Sequence, residues 1–157
     1  MNYHNITVDD MLNGDGLRTV LWVSGCMHHC RGCQNPQTWD AKSGIPFDEA
    51  AKEELFADLS RDYMDGITFS GGDPLCPANR ETVGRLIAEI RDRFPQKTIW
   101  LYTGDLFESF RDTLPFLPLI DVIVDGPYVE ALRDVNLCWR GSKNQRVIDV
   151  KKTLASG

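Results

Sequence analysis

The sequence predicts an α/β protein in which helices flank a parallel β-sheet. Five short runs rich in β-branched and aromatic residues are separated by segments of helical periodicity, and a glycine follows each of the first four runs. The runs are almost continuously apolar, which is typical of strands buried on both faces. Strand–helix–strand repeats of this kind build a parallel sheet with crossover connections.

The predicted strands follow the apolar runs in chain order. They lie at residues 19–24, 67–70, 98–103 and 120–125, with a fifth candidate at residues 146–150. The glycines stand at the carboxyl ends of these strands, and the loops at these ends form the ligand-binding edge of parallel α/β folds.

The predicted helices occupy the segments between the strands. Residues 48–61 place apolar side chains four residues apart, and residues 79–94 carry a longer apolar stripe that Pro95 ends. The remaining predictions are two shorter helices, at residues 105–112 and 128–134, and a frayed tail at residues 150–157.

Chain length limits the architecture. The 157 residues suit a single domain spanning residues 1–157. A complete eight-stranded barrel needs about 250 residues. Because the chain supplies only five or six strands, the sheet is predicted to be either doubly wound or an incomplete barrel that is open along one side.

Composition and charge exclude several classes of function. Hydrophobic residues make up 42% of the chain and charged residues 25%, which is typical of a globular protein. The net charge of −6 argues against nucleic-acid binding. No apolar run approaches the ~20 residues of a membrane span, and the N-terminal segment lacks the pattern of a signal peptide. We therefore expect a cytoplasmic protein with no nucleic-acid or membrane partner.

Clustered cysteines indicate a metal site. Three of the five cysteines, Cys26, Cys30 and Cys33, form a C-x3-C-x2-C pattern directly after the first predicted strand. An odd cysteine count argues against a fully paired disulfide framework. Three interpretations remain open from the cysteines alone: a [4Fe–4S] cluster with one iron left open, a structural zinc site with a fourth ligand from elsewhere, and a reactive thiol site.

Other candidate ligands have a more ordinary interpretation. His28 and His29 lie between the cysteines, and we expect them to be exposed or to support the site rather than to bind metal. Cys76 and Cys138 are predicted to be buried thiols, since free cysteine is among the most buried residue types.

Several motifs together resemble those of radical S-adenosylmethionine (SAM) enzymes. The cysteine pattern resembles their cluster motif, and the Ser-Gly-Gly-Asp-Pro sequence at residues 70–74 resembles their Gly-Gly-acid motif. The segments NGDGLR, SGCMHHCRGCQNPQTW, FSGGDPL, VDGPY and WRGSKNQR narrow the resemblance to the activating proteins of anaerobic ribonucleotide reductase, over residues 1 to 150. The resemblance implies an incomplete (βα)5–6 TIM-like barrel.

The resemblance also implies an oxidoreductase that generates a glycyl radical. Cys26, Cys30 and Cys33 would be the catalytic metal ligands of a [4Fe–4S] cluster whose fourth iron binds SAM. Reductive cleavage of SAM gives a 5′-deoxyadenosyl radical, which removes a hydrogen from a glycine of the large catalytic subunit of the reductase. An external donor such as reduced flavodoxin would supply the electron, because the chain has no second cysteine cluster.

The resemblance assigns the contacts with SAM to residues that follow the predicted strands. The carbonyls of the Gly71–Gly72 pair would meet the ammonium group, with Asp73 supporting them. Gln34 stands where many family members have an aromatic residue, and Asp15 stands where many have proline. The expected cofactor-binding residues are Gly32, Cys33, Gln34, Gly71, Gly72, Asp73, Thr103 and Asp125.

Alternative functions remain at this stage. The chain resembles, less closely, the activases of other glycyl-radical enzymes such as pyruvate formate-lyase. A zinc-stabilised binding module without catalysis is the alternative from a different class. The basic residues Arg140, Lys143 and Arg146 are interpreted either as part of a solvated loop or as a contact for the reductase or for the SAM carboxylate.

Overall fold

The fold is built around a single seven-stranded mixed sheet. The structure is a computed structural model that describes residues 1–33 and 36–156. The strands are β1 (Asn2–Asp10), β2 (Arg18–Val23), β3 (Ile45–Pro46), β4 (Gly66–Gly71), β5 (Thr98–Tyr102), β6 (Val122–Asp125) and β7 (Arg146–Asp149). Their order across the sheet is β3-β1-β2-β4-β5-β6-β7. The α-helices are α1 (Glu49–Leu59), α2 (Pro77–Arg93), α3 (Phe107–Phe110) and α4 (Val150–Ala155).

The centre of the sheet is parallel and its edges are antiparallel. Strands β2, β4, β5 and β6 pair in parallel, which confirms the prediction from the apolar runs. At the edges, β1 is antiparallel to β2, β3 to β1, and β7 to β6. The predicted fifth strand therefore exists, but it runs opposite to the parallel set. The incomplete TIM-like barrel stays a prediction.

Strand β1 was not predicted. Of its nine residues only Tyr3 is buried, and polar residues interrupt the sequence NYHNITVDD throughout. The short strand β3 covers β1 only at Asn2 and Tyr3, so most of β1 forms an exposed edge. An edge strand of this kind has no continuous apolar run, which is the pattern that located the central strands.

The helices lie at the predicted segments: α1 and α3 are shorter than predicted, whereas α2 begins two residues earlier. Helix α1 begins after Asp48, whose carboxylate accepts a hydrogen bond of 2.9 Å from the amide of Ala51. Helix α2 begins at Pro77, where the missing N–H costs no helical hydrogen bond. The segment predicted as a helix at residues 128–134 contains only a 3-10 turn, Glu130–Leu132. No helix among the described residues is both long and apolar enough to cross a bilayer.

The C-terminal segment forms a helix where a frayed tail was predicted. Asp149 caps α4 by accepting a 3.0 Å hydrogen bond from the amide of Lys152. Val150 is fully buried, and its amide donates to the carbonyl of Asp121. The prediction was wrong because one buried valine and one capping aspartate give little periodic signal in the sequence.

Alternate residues of the parallel strands face opposite sides of the sheet. Leu21, Phe69 and Leu101 are fully buried in one apolar core with side chains of α1 and α2. Val20 and Trp100 are also buried but lie outside this core, so they face the second side. The second face therefore carries every other residue of β2, β4, β5 and β6 up to the carboxyl ends of the strands.

A buried arginine closes the opposite end of the second face. Arg18, at the start of β2, is fully buried and donates hydrogen bonds to Thr68, Ile67 and Thr98. Burial lowers the pKa of Arg18 to about 10, and nearby acidic groups oppose this effect because they favour the charged guanidinium. The guanidinium nitrogens of Arg18 donate their hydrogen bonds to residues near the amino ends of β4 and β5. Arg18 therefore does not reach the carboxyl edge.

Candidate functional site

Loops after all four parallel strands meet at the carboxyl edge of the sheet. Together with residues 133–145 they line a cavity of about 510 Å³. Small-molecule sites commonly occupy about 300–1,000 Å³. The cavity lies at the edge of the sheet where the glycines after the predicted strands indicate a ligand-binding site.

The three clustered cysteines line this cavity together. Their loop leaves β2 and returns beside it, since the amide of Gly25 donates to the Thr38 carbonyl at 2.6 Å and that of Cys26 to the Trp39 carbonyl at 3.0 Å. The ring of His29 stacks on Trp39 with a centroid separation of 4.7 Å. The two backbone hydrogen bonds hold the ends of this loop side by side, and its three thiols line one cavity.

The protonation of Cys26 reflects its burial. Burial raises the pKa of this thiol to about 11, and the Asp73 carboxylate adds to the rise, while backbone hydrogen bonds from His28 and His29 oppose it. Such a thiol keeps its proton at neutral pH until a metal replaces it. Metal binding to the cysteine loop is therefore expected to release protons.

The Gly71–Gly72 loop packs against the backbone at the end of β2. The amide of Gly72 donates to the Val23 carbonyl at 2.8 Å, and the amide of Asp73 donates to the Gly25 carbonyl at 2.7 Å. Gly71 has a φ of +100°, and a Cβ at Gly72 would lie 2.5 Å from the Gly25 oxygen. Both positions therefore require glycine for close backbone packing, whatever ligand the loop binds.

The carboxylate of Asp73 is fixed by neighbouring loops. The side chain is buried, with 3% of its surface exposed. One oxygen accepts 3.0 Å hydrogen bonds from the Thr103 hydroxyl and the Gly104 amide, and the other accepts from the amide of Leu75 at 2.9 Å. Asp73 thus joins the loops after β4 and β5, which fits its predicted supporting role.

His28 lies between two carboxylates at the edge of the cavity. Its Nε2 is 2.9 Å from an oxygen of Asp73 and 3.1 Å from an oxygen of Asp105. The hydrogen bond to Asp73 raises the pKa of the imidazole, whereas burial lowers it by less. The guanidinium of Arg80 lies 3.8 Å from the second oxygen of Asp105. His28 therefore has specific partners in two other loops, and its role in supporting the site stays a prediction.

Tyr102 is a site residue that the sequence analysis missed. It lies on the second face of the sheet, lines the cavity, and has a buried hydroxyl without a hydrogen-bond partner among the described residues. Burial raises the pKa of Tyr102, so the phenol stays neutral. A buried hydroxyl without a partner costs about 1–3 kcal/mol, and a polar ligand atom in the cavity would satisfy it. The sequence signal for Tyr102 is its position two residues after Trp100, which places the two side chains on the same face of β5.

Not all predicted SAM contacts lie at this cavity. Cys33, Gly71, Gly72, Asp73 and Thr103 line it, whereas Asp125 and Gly32 do not. Gln34 lies outside the described residues. A Cβ at Gly32, whose φ is +77°, would lie 2.8 Å from the side chain of Glu130, so glycine allows close packing there.

Asp125 is engaged on the helical side of the sheet. It is fully buried and accepts hydrogen bonds from the amide of Phe107 at 2.8 Å and from Nε of Arg146 at 3.0 Å. The guanidinium of Arg146 also bonds both oxygens of Glu108 at 2.8 Å. Arg146 therefore joins β7 to β6 and α3, and only Arg140 of the three basic residues in this segment lines the cavity.

The two isolated cysteines lie apart from the cavity lining. Cys76 is half-buried immediately before α2. Cys138 is exposed, so the prediction of a buried thiol was wrong there. Its neighbour Trp139 is half-buried and packs on Trp100 with a centroid separation of 5.0 Å.

The donors in the cavity wall fit an iron–sulfur cluster and an adjoining polar ligand. Thiolates are the usual ligands of [4Fe–4S] clusters, and three cysteines leave one iron without a protein ligand. The unpartnered Tyr102 hydroxyl supplies a hydrogen-bonding group for a ligand in the same space.

Comparison with known proteins agrees with this chemistry. Residues 12–148 match the protein family described as 4Fe-4S single cluster domain. Proteins named anaerobic ribonucleoside-triphosphate reductase-activating protein are similar along almost the whole chain. The relative from Enterobacteria phage T4 is 47% identical over 147 residues, covering 94% of this chain and 93% of the relative. The relative from Escherichia coli K12 is 45% identical over 150 residues, covering 94% and 97%.

A third relative extends the similarity to another bacterium. The protein of the same name from Vibrio cholerae is 42% identical over 148 residues, covering 92% of this chain and 96% of the relative. Identity at this level over nearly full length establishes common family membership. The chain therefore belongs to the 4Fe-4S single cluster domain family and, within it, to the anaerobic ribonucleoside-triphosphate reductase-activating proteins.

Proposed function

We propose that this chain is a radical SAM enzyme that installs a glycyl radical on the catalytic subunit of anaerobic ribonucleotide reductase. One observation carries the proposal: the three clustered cysteines and the Gly71–Asp73 loop line the same cavity. This juxtaposition suits a ligand that must touch an open iron and a backbone loop at once. The names of the relatives supply the class of protein substrate.

The cysteine loop would hold the inorganic cofactor. Cys26, Cys30 and Cys33 would bind three irons of a [4Fe–4S] cluster. When bound and reduced, such a cluster supplies the electron that cleaves SAM to methionine and a 5′-deoxyadenosyl radical, which takes a hydrogen from glycine. The cofactors carry this chemistry, and the protein positions them and excludes water.

The loops after β4 and β5 would hold SAM. Gly71 and Gly72 line the cavity together with the cysteine loop, and their carbonyls would accept hydrogen bonds from the ammonium group. Asp73 fixes this loop through Thr103 and Gly104. Tyr102 offers its hydroxyl to a polar atom of SAM or of the protein substrate.

The protein partners follow from the same proposal. We expect the cavity at the sheet edge to admit a loop of a large protein, because an incomplete TIM-like barrel would be open along one side. An external donor such as reduced flavodoxin would supply the electron, and the reaction would take place in the cytoplasm. The acidic chain, with a net charge of −6, is suited to neither nucleic acid nor anionic membranes.

The test is formation of the product radical. The reconstituted protein is mixed anaerobically with SAM, a reductant and a purified catalytic subunit of an anaerobic ribonucleotide reductase. We expect 5′-deoxyadenosine and an organic glycyl radical signal in the electron paramagnetic resonance (EPR) spectrum, and neither with the Cys30→Ala variant. SAM cleavage without a radical on the reductase would indicate a different substrate, and absence of both products would refute the proposal.

A further inference from the structure

His28 connects the cysteine loop to two other loops of the cavity. It belongs to the segment between the first two cysteines, yet its Nε2 lies within hydrogen-bond distance of Asp73 and Asp105, which follow β4 and β5. The side chain is 26% exposed and that of Asp73 is 3% exposed. The contact is therefore sheltered, unlike the fully hydrated pairs of a protein surface.

The partner of His28 is itself rigid. Besides His28, the Asp73 carboxylate accepts from the Thr103 hydroxyl and from the amides of Gly104 and Leu75. The Asp73 backbone carbonyl accepts a 3.0 Å hydrogen bond from the side-chain amide of Asn79. The same side-chain nitrogen also donates to the Ser24 carbonyl at 2.8 Å. His28 is thus bonded to a carboxylate that three other hydrogen bonds already hold in place.

Gly104 makes room for the imidazole. A Cβ at this position would collide with the ring of His28, whose Nε2 would lie 2.6 Å away. The φ of Gly104 is not in the left-handed region, so backbone conformation does not explain the glycine. Close approach of the imidazole explains it, and the fit involves both loops.

We infer that His28 is a positioning residue that fixes the cysteine loop relative to the Gly71–Asp73 loop, and thereby sets how SAM spans the two. The inference rests on the proposed function, in which SAM touches an iron held by the first loop and the backbone of the second. Binding sites of this kind need their parts held within about 0.5 Å. Among the described residues, the bond from His28 to Asp73 links the two loops through side chains, beside the backbone bond from the Asp73 amide to the Gly25 carbonyl.

A role as a metal ligand is less consistent with the geometry. The ligand atoms of His28, Asp73 and Asp105 lie within 4.8 Å of one another. However, the separations of 2.9 Å and 3.1 Å from Nε2 to the carboxylates are those of charge-assisted hydrogen bonds. The imidazole therefore acts as a donor toward the loops rather than as a ligand of a cation between them.

The experiment compares two substitutions of His28 with one of His29. His28→Ala removes the donor, and His28→Gln keeps an N–H at the end of a side chain of similar reach. His29→Asn is the matched control, because His29 lies in the same loop, contacts Trp39 instead, and has a φ of +47° that asparagine tolerates. Each protein is reconstituted with iron and sulfide, and SAM affinity is measured by equilibrium dialysis and by EPR titration of the reduced cluster.

We expect His28→Ala to keep its iron and its EPR spectrum without SAM, while its dissociation constant for SAM rises about tenfold to a hundredfold. His28→Gln should recover most of the affinity, and His29→Asn should equal the unsubstituted chain. Unchanged affinity in His28→Ala would overturn the inference, as would loss of iron from both His28 variants. If the unsubstituted chain itself holds a cluster but ignores SAM, the proposed function fails instead.

Discussion

At the scale of single residues, the five cysteines divide into three that line the cavity and two that do not. We expect each of the substitutions Cys26→Ala, Cys30→Ala and Cys33→Ala to lower SAM cleavage at least about a hundredfold. Mutating a group that only hydrogen-bonds to a metal ligand already lowers activity by up to about a hundredfold, and loss of a ligand should cost more. The measurement is 5′-deoxyadenosine release, together with iron and sulfide content. Cys76→Ala is the matched control, since its thiol lies outside the cavity lining, and it should retain activity. Full activity in any of the three ligand variants contradicts the assignment.

The unpartnered hydroxyl of Tyr102 gives a prediction about stability. Tyr102→Phe removes a buried polar atom without changing the ring, so the ligand-free chain should be unchanged or more stable by up to about 1–3 kcal/mol. Urea unfolding of the metal-free protein measures this difference. A loss of stability greater than ~1 kcal/mol would show that the hydroxyl has a partner in the folded chain.

Sequence information located the cysteines but not all residues around them. C-x3-C-x2-C is a local pattern, so Cys26, Cys30 and Cys33 could be identified without a fold. Asp125 is the last residue of a predicted strand, but it lies two residues after Ile123 and therefore faces the helical side. That alternation was readable once the strand was predicted. The partners of His28 were not readable, because they come from loops about 45 and 77 residues further along the chain.

At the scale of secondary structure elements, apolar runs in the sequence predicted the strands that are buried on both faces of the sheet. Strands β2, β4, β5 and β6 have this pattern, and all four were found. Strand β1 exposes most of its residues, and α4 has only six residues with one buried side chain. The direction of β7 depends on its pairing with β6, which no local pattern records. Elements stabilised mainly by tertiary contacts thus escaped prediction.

Arg146, the last residue of the segment WRGSKNQR, begins strand β7 at the edge of the sheet, whereas four earlier residues of the segment line the cavity. Arg146→Ala leaves the fully buried Asp125 without its ion pair, and removing one partner of a buried pair typically costs about 3–5 kcal/mol. Since Arg146 is partly exposed, we expect the lower part of this range, about 3 kcal/mol. Chemical denaturation of the metal-free chain provides the measurement.

Lys143→Ala is the control for that prediction. It lies in the same segment, and no ion pair of Lys143 is found among the described residues, so its loss should change stability by less than about 0.5 kcal/mol. Equal stability of the two variants would contradict a structural role for Arg146. It would favour the alternative in which the basic residues act only in contacts with a partner.

At the scale of the whole molecule, the second face of the sheet has a closed end and an open end. Arg18 fills the space at the amino ends of the strands, where its guanidinium is fully hydrogen-bonded. The carboxyl ends carry glycines and cysteines around a cavity of about 510 Å³. This polarity of the parallel sheet explains why one edge is structural and the other carries the candidate chemistry.

The proposed function requires a [4Fe–4S] cluster in this cavity, with SAM bound to its open iron. The most direct measurement is EPR spectroscopy of the chain after anaerobic reconstitution with iron and sulfide and reduction with dithionite, with and without SAM. We predict a reduced [4Fe–4S]⁺ signal that changes shape when SAM is added. A chain that holds one zinc and no cluster, or a cluster whose spectrum ignores saturating SAM, would contradict the proposed function.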